Sequence, residues 1–440
     1  MVATKLSYEA FWSGDMKTIA EINKKIENGD AIVMTAQELC GIVRSGESVS
    51  VNDVDVVTTA TRGIMSGTLA ILSVPVAGPG VFSRAERVSL NGVPAHAGPC
   101  PNERLGLVDM IVYGTAQRDA RYGGGHLFHD LVSGNEIEVV VEAPVGEGAG
   151  EIVTTVTIDE IPFARMLTTR SVYRNYSAFV NPGEAIPSIF SVADFAGNCS
   201  GATFAGCGEL NPLEKDAGTI GIGTRVLVNG ATGHVIGEGT RSTPERRNLS
   251  LAADMHTMDG SYIGGFATSA GVDIINSVAV PIPVLNEDVL RSTCRLDSEI
   301  ALPVMDIRTR SEIGRTDYSQ VWRSDSPVSS GSSGLQATFD ESRCVHCKIC
   351  EVRMQCPTGA FDGGEIASRL CCNCGHCVSA CNAGAFTAGV GTIPLNGKKI
   401  PVILRHSDRK GAIRLADELK RMIEDGSFLL TEPVGRLAEL

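Results

Sequence analysis

No hydrophobic run in this chain is long enough to cross a membrane. The most apolar stretch, residues 274–285, carries Pro281 and Pro283 and stops well short of a span. Basic charge is also short: 38 Lys and Arg stand against 51 Asp and Glu, for a net charge of −13 and no basic stripe. That balance excludes a general nucleic-acid binder. No G-x-G-x-x-G follows a strand-like segment and no G-x-x-x-x-G-K-[ST] occurs, so nucleotide binding has no support. No N-terminal segment joins a basic start to an apolar stretch, so a secretory route is not expected and a cytoplasmic location is. Aromatic residues are few, at 5%. With 43% hydrophobic residues, 20% charged residues and 49 glycines, the 440 residues suit a soluble chain of two or three domains with many tight turns.

Cysteine is what the chain has in excess. Fourteen are present, and nine fall within residues 344–381. In a reducing compartment, clustered thiols mean metal rather than disulfides. Eight of the nine form two runs: Cys344-x2-Cys347-x2-Cys350-x5-Cys356-Pro357 and Cys371-x2-Cys374-x2-Cys377-x3-Cys381. The second run has the spacing of a bacterial ferredoxin half, and the first has two extra residues before its last cysteine. Such runs supply three thiolates from one tight loop and a fourth from a distance, which suits the iron corners of a [4Fe–4S] cube. In two-cluster ferredoxins the fourth cysteine of each run ligates the other cluster. On that rule Cys344, Cys347, Cys350 and Cys381 hold one cluster, and Cys371, Cys374, Cys377 and Cys356 hold the other. Zinc is the alternative, but it rarely uses three cysteines at successive x2 spacing. Cys372 is surplus, as a bystander or an alternative ligand, and His346 and His376 lie between ligands. Gly359-Ala-Phe-Asp and Gly384-Ala-Phe-Thr repeat one another after the two runs, as a pseudo-twofold ferredoxin unit requires.

Elsewhere the pattern alternates strand and helix. Thr18-Ile-Ala-Glu21 and Thr35-Ala-Gln-Glu38 read as capping boxes opening two helices, with strands at residues 31–34 and 54–58. Residues 58–67 are expected to turn into a helix and offer backbone N–H groups. Val108 to Tyr113 and residues 151–158 read as strands, and residues 159–167 as a helix with Pro162 in its first turn. His126 and His129, after a glycine turn, would share a helix face as a metal or substrate pair, or simply pack. Cys207, between two glycines, has no bulky sequence neighbour to shield it. With Glu209, Asp216 and Arg225 nearby it is the leading candidate for thiol chemistry, followed by Cys100, held between two prolines, and Cys199. Against this, an isolated cysteine is usually a small core residue, the natural reading for Cys40 and Cys294. Residues 400–404 form a strand, and Ser407 caps a helix with an apolar stripe at Leu415, Ala416, Leu419, Met422 and Ile423.

The blocks Lys17-Thr-Ile-Ala-Glu-Ile-Asn23, Asp55-Val-Val-Thr-Thr59, Tyr122-Gly-Gly-Gly-His126, Gly208-Glu-Leu-Asn-Pro-Leu213 and Thr219-Ile-Gly-Ile-Gly-Thr-Arg225 resemble the homocysteine-biosynthesis family, of the aspartate-semialdehyde sulfurtransferase type. With the cysteine runs and the ending Pro401-Val-Ile-Leu-Arg-His-Ser-Asp-Arg409, the whole chain resembles the methanogenesis marker 16 family of metalloproteins from methanogenic archaea. The resemblance implies an iron–sulfur protein of methanogens. It also exposes a departure. The sulfurtransferase relatives carry a cysteine where this chain has Ser66, and a second within the counterpart of residues 143–150. A hydroxyl cannot carry a persulfide at neutral pH.

The expected architecture is therefore an α/β (or α+β) domain with a mixed sheet over residues 1–323, a Ser/Gly linker over 324–335, a small ferredoxin-like two-[4Fe–4S] domain over 336–390, and a strand and amphipathic helix over 391–440. The expected function is a redox or accessory factor passing electrons through two [4Fe–4S] clusters to chemistry at the N-terminal domain, where a small molecule binds. Its partner would be a redox protein or a methanogenesis-related complex, with no nucleic acid and no membrane. The alternatives are a non-enzymatic electron-transfer or assembly protein docking on such a complex, and a sulfurtransferase forming homocysteine from aspartate semialdehyde.

Overall fold

Thr18 opens the first helix by accepting from the Glu21 N–H at 3.2 Å while the Glu21 carboxylate accepts from the Thr18 N–H at 2.8 Å. The helix Ile19–Asn28 buries Ile19, Ile22 and Ile26 and ends at Gly29, whose φ of 75° is left-handed. Thr35 and Glu38 repeat the device for helix Ala36–Ser45. These elements belong to a computed structural model that describes residues 16–98, 103–144, 150–174, 176–197, 200–204, 206–322 and 336–437.

The chain builds an α/β fold with two large sheets and few helices. A 14-stranded mixed sheet runs through the N-terminal half and closes on strands Arg225–Val228, Ala231–Glu238, Leu249–Asp254 and Gly271–Pro283. At one edge Val33–Thr35 lies parallel to Val56–Ile64, as the strand–helix–strand pattern predicts. The second sheet has six strands, in the order Glu312–Asp317, Ala301–Asp306, Ser177–Asn181, Ser200–Phe204, Lys398–Arg405, Thr392–Leu395. Lys398–Arg405 pairs parallel to Ser200–Phe204, so the C-terminal strand completes a sheet begun more than two hundred residues earlier. Helix Arg409–Glu424 then buries Ala412, Leu415, Ala416, Leu419 and Ile423, and its apolar stripe packs on Val56–Ile64 and Gly271–Pro283. Asp408, not Ser407, holds its N-cap position.

Two local expectations are overturned. Residues 58–64 do not turn; strand Val56–Ile64 is buried at every position. Val33–Thr35 covers one edge and Gly271–Pro283 pairs along its whole length on the other, and this pairing outweighs the turn signal of its hydroxyl residues. The chain turns only at Ser66 and Gly67. Residues 159–167 are not a helix either. After one 3₁₀ turn, Ile158–Glu160, strand Phe163–Ser171 buries Ala164, Met166 and Thr168 on alternate positions, a period of two that fits the sheet. Among the described residues, no helix is long and apolar enough to cross a membrane.

Asp55 ties the start of the chain to this sheet. Its buried carboxylate accepts from Lys17 and Lys25, each at 2.7 Å, and from the Ile32 N–H at 3.0 Å. Burial raises its pKa, but the Ile32 N–H and the two lysines outweigh that and leave it below the ordinary carboxylate value. The stabilisation is therefore complete above the unfolded value of about 3.9 and is lost as pH falls through the lower folded value. Asp55→Asn is expected to cost about 2 kcal/mol at pH 7 and progressively less below pH 4, as read by urea unfolding across that range.

Candidate functional site

The two cysteine runs adopt the same backbone path. His346 and Asn373, each two residues after the first cysteine of its run, sit at φ of 48° and 52°. Each run passes into a short helix, Glu351–Gln355 and His376–Ala380. Cys356 and Cys381 donate their N–H groups back to Val352 and Cys377 at 2.8 and 3.1 Å. Gly359 and Gly384, three residues later, share φ near 65° and close the turn onto those cysteine carbonyls. The halves meet through Phe339, Phe361 and Phe386, whose ring centroids lie 4.9 to 5.1 Å apart, and strand Thr338–Phe339 pairs with Phe386–Thr387.

Cys356, Cys371, Cys374 and Cys377 line one cavity, together with Cys372 and His376. Burial pushes the Cys371 and Cys377 thiols up to about 12, and neighbouring thiolates, Cys356 among them, push the same way. Cys344, Cys350 and Cys381 pack half-buried on Val352, Phe361, Ala385 and Phe386, while Cys347 is exposed. Cys356, Cys371, Cys374 and Cys377 thus share one cavity lining, while Cys344, Cys350 and Cys381 pack with Cys377 on one apolar cluster. Among the described residues, no three His, Cys, Asp or Glu side chains are grouped closely enough to hold a single metal ion. A second observation bears on what fits. Arg405, 1% exposed, donates its backbone N–H to the Cys374 carbonyl at 2.9 Å, while its Nε and Nη2 are buried without partners. A guanidinium so placed lacks an anion, and a thiolate-ligated iron–sulfur cube, with its net negative charge, fits that deficit.

Beside this cavity lies a second one of about 180 Å³. Its polar lining comes from Arg62, Tyr122, His126, His129 and Asp130, and Thr358 lines both cavities. The histidines stand on helix Gly124–Val132, one turn apart, as expected. His126 accepts from the Gly123 N–H through Nδ1 at 3.2 Å, and its ring stacks on Tyr122 at 5.4 Å. Burial pulls its pKa down to about 4, so it is neutral at pH 7 and its proton sits on Nε2. Tyr122 donates to Asp130 at 2.6 Å; burial and that carboxylate push its hydroxyl above the ordinary value. The wall is joined to the cysteine loop by Arg121, which donates to the Cys356 carbonyl, and by the Ala267 N–H on the Pro357 carbonyl at 2.8 Å.

Behind the pocket Arg62 donates to Asp408 Oδ2 at 3.0 Å, and Asn373 Nδ2 donates to Asp408 Oδ1 at 2.9 Å. One carboxylate therefore links the pocket to the second cysteine loop. No local pattern marks these three residues, since Arg62 and Asp408 lie 346 positions apart.

The thiols singled out for chemistry lie elsewhere. Cys207 is fully buried, its sulfur 3.8 Å from the Arg62 carbonyl, and burial pushes its pKa up. Its glycine neighbours do not expose it; strand Val56–Ile64 covers it at Thr61 and Arg62. Glu209 pairs with Arg44, Asp216 accepts the N–H groups of Gly218, Thr219 and Ile220, and Arg225 stacks on Phe428 at 4.6 Å, so these three do not converge on the thiol. Cys100, Cys199 and the serine-rich linker lie outside the described residues. Ser66 donates to Asp273 at 2.8 Å, a carboxylate that burial pushes up to about 6.

Residues 31–430 match the family described as homocysteine biosynthesis enzyme, sulfur-incorporation. The chain belongs to this family. The match runs through the cysteine stretch rather than stopping before it. Among relatives, a protein of Methanothermobacter thermautotrophicus without assigned function is 46% identical over 94% of each chain. The L-aspartate semialdehyde sulfurtransferase of Methanocaldococcus jannaschii is 33% identical over 69% of this chain and 62% of its own length. The enzyme of that name from Methanosarcina acetivorans is 28% identical over 96% of this chain and 72% of its own. No solved structure matches.

Proposed function

We propose that this member of the sulfur-incorporation family is a two-cluster iron–sulfur redox protein of the marker 16 type, serving chemistry on a small molecule in the His126 pocket. One observation carries the reading. Thr358 lines both the cavity walled by Cys356, Cys371, Cys374 and Cys377 and the pocket walled by Tyr122, His126 and Asp130. When bound, the cofactor supplies one-electron transfer. The chain's own residues do the rest. Neutral His126 offers its Nε2 proton as a hydrogen-bond donor to a ligand, Asp130 is held ionised by its neighbours, and Leu370 and Ile275 exclude water. The Cys344, Cys347, Cys350, Cys381 set, with Cys347 at the surface, is the side from which a redox partner delivers electrons.

Anaerobic purification is expected to yield about eight iron and eight sulfide per chain, falling to about four of each in a Cys371→Ala, Cys377→Ala double variant. Zinc without sulfide would sink the reading. Sulfur transfer to aspartate semialdehyde is the second reading, favoured by the family and by the names of two relatives. Homocysteine formed at a steady rate from aspartate semialdehyde and a sulfur donor would put it first. Ser66, bonded to a buried carboxylate, is poorly placed to take over a thiol's work.

A further inference from the structure

Arg405 is among the largest fully buried side chains of the chain. Its Nη1 donates to the Gly389 carbonyl at 2.8 Å, its Cζ lies 4.2 Å from the centre of the Trp322 ring, and Nε and Nη2 have no acceptor. Among the described residues no carboxylate pairs with it. The buried carboxylates around it are already paired. Asp408 is taken by Arg62 and Asp297 by Arg409, which crowds the same Trp322 ring at 4.5 Å. The nearby Glu209 is taken by Arg44. Glu214, also buried, pairs with Arg295 at 3.6 Å. Arg62 and Arg409 thus each face a buried carboxylate and Arg405 faces none; its backbone N–H bonds the Cys374 carbonyl and its guanidinium lies near enough to the Cys374 thiol for their charges to interact.

Leaving one buried cation unmatched is costly, and a folded chain tolerates it where an anion completes the set. We propose that Arg405 is the counter-cation of the second cysteine quartet and sets its redox potential. The inference rests on the iron–sulfur reading above. Reduction at this quartet adds one negative charge to a site where Cys374 is buried and Cys356, Cys371 and Cys377 are half-buried. Burial alone disfavours that charge and lowers the potential. A fixed guanidinium near Cys374 opposes the effect and raises it, while among the described residues none of the buried cations bonds to the quartet that includes the exposed Cys347. Arg405 acts as a positioning residue: it touches neither the pocket nor a ligand in it.

The test uses the full chain, isolated anaerobically, in wild-type form and as Arg405→Met and Arg405→Lys. In redox titrations followed by electron paramagnetic resonance, Arg405→Met is expected to lower the potential of one cluster and leave the other in place. The expected size is about a tenfold change in its reduction equilibrium, or ~59 mV for one electron. Arg405→Lys restores most of the shift. Equal shifts at both clusters, or none, would overturn the proposal. Iron and sulfide analysis of the wild type is read first; its failure would remove the iron–sulfur reading, whereas full clusters with an unmoved potential remove only the role of Arg405. Stability supplies an independent readout. In the metal-free chain the unmatched cation is a burden, so Arg405→Met is expected to unfold at the same or higher urea than metal-free wild type, and at lower urea than wild type once both are loaded. A metal-free Arg405→Met chain that cannot fold counts against the proposal.

Discussion

Replacing Asp408 by asparagine is expected to cost about 3–5 kcal/mol and to loosen the second cysteine loop at the same time. Asp408 is 1% exposed, and its two oxygens take one donor each, Arg62 Nη1 and Asn373 Nδ2. Asparagine keeps the shape but turns one acceptor into a donor, so a donor must face either the guanidinium or the Asn373 amide. The greater loss is charge. Without Asp408, Arg62 loses its carboxylate, since Asp297 is held by Arg409, Glu209 by Arg44 and Glu214 by Arg295. Helix Arg409–Glu424 itself is not at stake, because the Asp408 side chain makes no capping bond to it. Urea unfolding reads the energy. A loss below about 1 kcal/mol would show that the network between the pocket wall and the cysteine loop is not a structural requirement. Faster loss of iron from the second quartet than from the first is the matching local signature.

What was legible in the sequence was what local chemistry determines. Thr18 with Glu21 and Thr35 with Glu38 announce two helices because the cap and its partner sit three residues apart, and both reciprocal bonds form. The cysteine runs share one local path for the same reason: each loop carries its own closely spaced cysteines and its own left-handed residue. Strand Val56–Ile64 was misread because its polar side chains are satisfied by distant partners. Thr59 donates to the Val280 carbonyl at 2.7 Å and Arg62 to Asp408, and nothing within ten residues of either shows it. Cys207 failed for the complementary reason. Small neighbours along the chain say nothing about what folds over a residue from another strand. The pocket was half legible, since His126 and His129 share a helix face by spacing alone, whereas Arg62 and Thr358 reach it only through the tertiary fold.

The three glycines that precede His126 decide whether that pocket exists, and Gly124→Ala is expected to destroy it at a cost of about 3 kcal/mol or more. A β-carbon at Gly124 would lie 2.1 Å from the Tyr113 carbonyl oxygen and 2.8 Å from the Gly114 Cα. Both are backbone atoms, at the last residue of strand Leu107–Tyr113 and the one after it, so neither can swing aside as a side chain would. The helix start must back away instead, giving up the 2.7 Å bond from the Gly124 N–H to the Ala116 carbonyl. His126, two residues on, leaves its seat against Gly265, where even one added β-carbon would overlap the imidazole at 2.0 Å. Released from that burial, the ring should titrate nearer the ordinary value of about 6.5 than the depressed value of about 4. A histidine proton titration by NMR therefore reads the pocket directly, while urea unfolding reads the energy. Gly41→Ala makes the control. Gly41 lies mid-helix with nothing within 4 Å of its would-be β-carbon, and alanine there is expected to stabilise by about 0.5–1 kcal/mol while leaving the His126 titration unmoved. If Gly124→Ala behaves like Gly41→Ala, the close packing of helix Gly124–Val132 on the sheet is not what holds His126 in its neutral form.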